Sequence, residues 1–109
     1  MLEPIDLWFS RIVLQHNPPP VMAAVLRRVL SRLRAGGVAV FQVPTFRPNY
    51  RFRVQDYLAL PRNEEIEMHV LPLAAVIRLA KEADCAVLEI LDDNSAGGDL
   101  TSNVFAIGR

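Results

Sequence analysis

A single cysteine, Cys85, excludes an internal disulfide and any zinc site built from several thiolates. Standing just before the apolar run Ala86 to Leu91, it reads as a buried thiol that packs like a small hydrophobe. Net charge is absent as well: 12 basic side chains balance 12 acidic ones, which argues against a dedicated nucleic-acid binder. No apolar run approaches the roughly 20 residues of a membrane span. The start, MLEPIDLW, lacks the basic-then-apolar order of a signal peptide. The expectation is a cytoplasmic protein with no membrane and no nucleic-acid partner. Glycine is scarce too, with Gly36, Gly37, Gly97, Gly98 and Gly108 and no Gly-x-Gly among them.

What is present is a chain of 109 residues, 51% hydrophobic, which describes one globular domain with one core. That length falls short of the roughly 200 residues or more that complete α/β enzymes often need. Ile5 to Leu14 is an almost unbroken apolar run and predicts a buried strand with the loop it enters. The prolines of VLQHNPPP, Val13 to Pro20, then stop it, because each lacks an amide hydrogen and fixes its own φ. Beyond them the period changes. Met22, Val25, Leu26, Val29, Leu30 and Leu33 follow helical spacing, with arginines on the other face and Gly36-Gly37 as an αL-tolerant stop. Val38 to Val43 predicts a second buried strand closed by Pro44. Strand, helix, strand with short connections is a parallel βαβ unit.

A second helix is predicted over Pro72 to Ala83, with Leu73, Val76, Ile77 and Ala80 inward; AVLEIL, Ala86 to Leu91, and Leu100 to Ile107 read as two further strands. The stretch DDNSAGGD between them is too short for a helical crossover, so the two should be antiparallel neighbours. The fold class is therefore α/β: a parallel pair, a C-terminal antiparallel pair and flanking helices in one domain, with an insertion at about 45–71. Inside that insertion Tyr50 to Gln55 and Glu65 to Val70 alternate at strand period. Paired as antiparallel arms, they would set Arg51 and Arg53 near Glu65 and Glu67.

The order strand, VLQH, helix, LRAGG, strand, helix and closing antiparallel pair resembles the C-terminal half of a class I S-adenosylmethionine-dependent methyltransferase. Ile5-Asp6-Leu7-Trp8 matches the family's DLV-like strand entry, Val13 to His16 its VLxH segment, and Leu33 to Gly37 its LRPGG turn, with Ala35 where proline is usual. The resemblance covers nearly the whole chain and implies a Rossmann-like sheet. Absent are the family's first three strands, with the glycine-rich turn and the acidic ribose ligand that hold most of the cofactor. The resemblance thus implies a partial domain, inactive by itself, that does not bind S-adenosylmethionine tightly.

It also implies that Ser10 and His16, at the end of the first strand, lie beside the methionine end of that cofactor. His16 has a plainer alternative, hydrogen bonding to local backbone at the turn. Phe46, Tyr50 and Tyr57, with Phe52, stand where the family receives a small-molecule acceptor; equally, they make a packed core for the insertion. No residue is assigned a catalytic acid or base role, since methyl transfer often needs positioning more than a strong base. Glu65, Glu67 and His69 lack a second ligand cluster, so no metal site is expected. Two functions stand side by side: the C-terminal part of a methyltransferase awaiting a complementing N-terminal half, or a non-catalytic dimerisation or partner-binding module. Ile5, Leu7, Trp8 and Phe9 on an unpaired edge predict a homodimer, with Trp8 buried in the contact.

Overall fold

The prolines separate strand from helix. In the computed structural model, which describes residues 4–59, 68–94 and 98–109, strand β1 (Ile5–Ser10) runs into a 3-10 turn (Leu14–His16), and helix α1 (Pro19–Arg32) follows. Pro19 and Pro20 occupy its first turn, where amide hydrogens would have no intrahelical partner. The Pro18 carbonyl accepts from the amides of Val21 and Met22 at 2.9 and 3.1 Å.

The helix ends earlier than the double glycine suggests. Leu33 is already extended (φ −63°, ψ 134°), and strand β2 (Leu33–Phe46) takes in both glycines. Gly36, at φ +84°, bends the strand entry, and a Cβ on Gly37 would stand 2.7 Å from the Ile5 carbonyl oxygen. The glycines thus serve a bulged approach of β2 to β1, where the pairing shifts between Ile5 and Leu7. Nor does Pro44 close β2, because a second shift, between Pro44 and Phe46, accommodates it.

Helix α2 (Val54–Ala59), helix α3 (Leu73–Glu82), strand β3 (Ala86–Asp93) and strand β4 (Thr101–Gly108) complete the described elements. The sheet order is β1-β2-β4-β3, with β1 and β2 parallel and the other two pairs antiparallel. The mixed α/β architecture with its closing antiparallel pair is the one expected. The first arm of the insertion is not. Residues 51–53 are irregular and α2 begins at Val54; Val54 and Leu58 are exposed, while Tyr57 is carried against Phe52 and His69. Glu65 to Glu67 lie outside the described residues. Beyond them, the amide of His69 donates to Gln15 and that of Leu71 to Pro44, rather than to a partner arm.

One face of the sheet holds the core. Ala39, Phe41 and Val43 of β2 alternate inward beside Phe105 and Ile107 of β4, under Met22, Leu26 and Leu30 of α1 and Val76 and Ala80 of α3. Phe41 stacks on Phe105 at 5.4 Å, and Trp8 meets Phe41 at 6.0 Å, so Trp8 packs into this chain's own core. On α3 the inward face is Val76, Leu79 and Ala80. Leu73 and Ile77 are exposed, contrary to the sequence reading, since the face meeting α1 and β3 is turned toward Leu79. Cys85 is half-buried against the core.

The opposite face is apolar and uncovered by any described helix. Leu7 is 68% exposed, Phe9 65% and Leu88 60%, and between them Val38, Val40, Val104 and Ala106 are half-buried. No helix among the described residues is long and apolar enough to cross a membrane.

Candidate functional site

The chain leaves β1 through a strained loop. Ile12 has φ +58°, a left-handed conformation that a β-branched residue rarely adopts. Gln42, in the middle of β2 and 1% exposed, holds it there: its Oε1 accepts from the Ile12 amide at 2.8 Å. The Gln42 amide nitrogen donates to Gln15 Oε1 at 2.9 Å and to Ser102 Oγ at 2.6 Å. One buried glutamine therefore ties the loop after β1, the 3-10 turn and β4 together at the carboxyl end of the parallel pair. Arg11, in the same loop, reaches Asp93 at the end of β3 at 3.8 Å.

A second cluster is joined to this one by backbone. The His69 amide donates to the Gln15 carbonyl at 2.7 Å, which seats residues 68–71 against the 3-10 turn. The His69 ring, 7% exposed, has its Nδ1 hydrogen-bonded with the Tyr50 hydroxyl at 2.9 Å. Phe52 and Tyr57 stand nearly edge-on to the same ring at 5.7 and 5.8 Å, and tilt against one another at 5.4 Å. These rings, with Arg51, Arg53 and Asp56, line a cavity of about 360 Å³.

Ser10 is buried on the helix-covered face at the end of β1, opposite Phe41, and His16 is half-buried at the end of the 3-10 turn. Tyr50 and Tyr57 come together in the cavity; Phe46, at the end of β2, is exposed and is not among the residues lining it. Among the described residues no group of three or more His, Cys, Asp or Glu side chains could hold a metal ion. The sequence reading missed the Gln42, Gln15 and Ser102 network and set His69 beside glutamates rather than tyrosines. The signal for Gln42 was present: an amide inside VAVFQV has to find partners if its strand is buried.

The hydroxyl of Ser10 and the imidazole of His16 suit the ammonium and carboxylate end of an amino acid such as methionine. For a nucleoside the described residues offer no Gly-x-Gly turn.

No known family model matches this sequence, and no curated protein does. Solved structures match its fold. Magnesium protoporphyrin IX methyltransferase from Synechocystis, determined with bound SAH, aligns with a TM-score of 0.67 at 11% identity, covering 100% of this chain and 47% of the other. A S-adenosylmethionine-dependent methyltransferase from Clostridium acetobutylicum aligns with a TM-score of 0.62 at 9% identity, covering 99% of this chain and 59% of the other. TehB from Haemophilus influenzae gives 0.65 at 10% identity, with 100% and 37% covered. The chain spans about half the length of the first of these proteins. The four-stranded sheet with its flanking helices thus matches part of the fold of these methyltransferases.

Proposed function

We propose that this chain is the C-terminal part of a S-adenosylmethionine-dependent methyltransferase domain and is inactive as an isolated polypeptide, its glycine-rich half coming from adjoining chain or from a partner. One observation carries the reading: the strand order β1-β2-β4-β3, parallel then twice antiparallel, aligns along its whole length with part of such enzymes and leaves about half of the first neighbour unmatched. Ser10 and His16 would meet the methionine end of the cofactor, where the Gln42 network holds the loop that separates them. When bound, the cofactor supplies a methyl group activated by a sulfonium. The residues of this chain orient it and hold a small-molecule acceptor at Tyr50 and Tyr57, which is positioning rather than acid or base work.

A second reading is a module for dimerisation or partner binding, and the uncovered apolar sheet face favours it. Calorimetric titration with S-adenosylhomocysteine separates the two. The chain alone should show no micromolar binding, and one site should appear when it is extended by the reading frame preceding Met1 or mixed with the product of a neighbouring frame. Micromolar single-site binding by the isolated chain overturns the partial-domain reading. Absence of binding in every combination favours the module.

A further inference from the structure

The arginines of the insertion are not accounted for by strand order or by methyl transfer. Arg51 and Arg53 flank Phe52 in the irregular stretch that enters α2; both are exposed and both line the cavity. Nearby Arg47 is paired with Asp99 at 3.5 Å, whereas neither Arg51 nor Arg53 forms an ion pair with any described residue. Among the described residues one carboxylate, Asp56, lines the same space, so two guanidinium groups less one acid leave the described lining with an excess positive charge. The rings of Phe52 and Tyr57 share this lining, and both stand nearly edge-on to His69, whose ring is hydrogen-bonded with the Tyr50 hydroxyl.

We infer that the cavity binds a planar aromatic acid, its ring against Phe52 and Tyr57 and its carboxylate on Arg51 and Arg53. Each half of such a ligand answers one feature of the lining. Aromatic side chains prefer the offset-stacked or edge-on contact of another ring. A guanidinium fork matches a carboxylate in geometry and charge, and such bonds are about twice as strong as neutral ones. A cationic ligand of the kind held in aromatic cages would meet two arginines against one aspartate. An aliphatic acid would leave the rings without a flat partner. The volume of about 360 Å³ lies in the range of small-ligand pockets and admits a fused two-ring acid. Naming this acid as the methyl acceptor rests on the function proposed above; its binding does not, because no cofactor takes part in it.

The test is titration of the 109-residue chain with naphthoate, followed by ligand fluorescence and calorimetry. Naphthamide, cyclohexanecarboxylate and phenyltrimethylammonium run in parallel. Naphthoate should bind at a single saturable site about tenfold or more tighter than each of the others, as loss of a charged fork or of a ring contact implies. The Arg51→Gln, Arg53→Gln double variant changes only exposed positions and should lose about the same factor with its circular dichroism unchanged. Phe52→Leu should weaken naphthoate while leaving cyclohexanecarboxylate unaffected. Equal binding of naphthamide, stronger binding of the ammonium compound, an unaffected arginine variant, or no saturable naphthoate binding by a folded chain would each overturn the inference. The S-adenosylhomocysteine titration is read separately. A chain that binds naphthoate but never binds the nucleoside in any combination keeps the anion site and loses methyl transfer.

Discussion

Ile12 and Gln42 form a constrained pair, a strained backbone held by a buried side chain. A β-branched residue at φ +58° costs about 1–3 kcal/mol, and that cost is met because the Ile12 amide has a buried acceptor to reach. Gln42→Leu keeps the apolar volume of the strand but abandons the Ile12 amide and Gln15 Oε1, while Ser102 Oγ retains its bond to the Val43 carbonyl. Each abandoned buried group costs about 1–3 kcal/mol. Gln42→Leu should therefore lower stability in urea unfolding by roughly 3 kcal/mol or more. Ile12→Gly acts in the other direction. It relieves the strained φ at an exposed position, and part of the gain is offset by the greater freedom of glycine in the unfolded chain. A net stabilisation of about 1 kcal/mol is expected. If both variants destabilise equally, the loop is not strained in the way its dihedral indicates. Sequence alone makes the glutamine conspicuous in VAVFQV. It does not show the partners, which are 27, 30 and 60 positions away and become neighbours only through the sheet.

Among the elements, the entry to β2 shows how a correct motif was given the wrong role. LRAGG reads as a helix stop because glycine tolerates αL, and Gly36 does take φ +84°. Yet α1 has already ended, and its C-terminal carbonyl at Leu30 accepts from Arg109 Nη2 at 2.9 Å. The Arg109 backbone continues the clasp, with its carbonyl accepting from Gly36 at 2.7 Å and its amide donating to Gly37 at 3.1 Å. A contact between positions so far apart in sequence leaves no local trace in periodicity. Gly37→Ala should cost about 2–3 kcal/mol, since the new Cβ meets backbone oxygens of Ile5 and Arg34 at 2.7 and 3.0 Å. Gly36→Ala meets no atom within 4 Å and should cost only about 1–2 kcal/mol, from φ alone. Arg109→Ala should lower stability by about 1 kcal/mol and speed amide exchange in the last turn of α1. The insertion misled for a related reason: Tyr50 to Gln55 alternate polar and apolar side chains, but Val54, Tyr57 and Leu58 also fit a helix, and contacts with the His69 segment decide between the two.

For the whole molecule, the decisive feature is that helices α1 and α3 cover one face of the sheet, whereas on the other only the carboxyl end, at Gln42 and Ser102, is covered by the loop after β1. Ile5 to Leu14 is legible as a strand and the loop it enters, and its almost unbroken apolar character predicts burial on both sides. In the structure Trp8 turns inward onto Phe41, whereas Leu7 and Phe9 turn outward onto a face that also carries Leu88, Leu91, Val38, Val40, Val104 and Ala106, interrupted by Glu89. On the side of β1 away from β2, no described strand pairs with it. Monomeric proteins seldom expose contiguous apolar patches beyond a few hundred Å², and an apolar strand edge without lysine or proline invites pairing. If the complementing half or another partner is absent, a second copy is the remaining cover, and a twofold dimer is its simplest closed form. Sedimentation of the isolated chain at micromolar concentration should therefore show dimers or larger species. Because Trp8 already packs on Phe41, its fluorescence should change little on dilution, and Leu7 and Phe9 should carry the contact. The double variant Leu7→Lys, Phe9→Lys should sediment as a monomer with unchanged circular dichroism, since neither side chain belongs to the core beneath the helices. A wild-type chain that sediments as a monomer at that concentration would show that so large an apolar face is tolerated in water, and the dimer would be excluded.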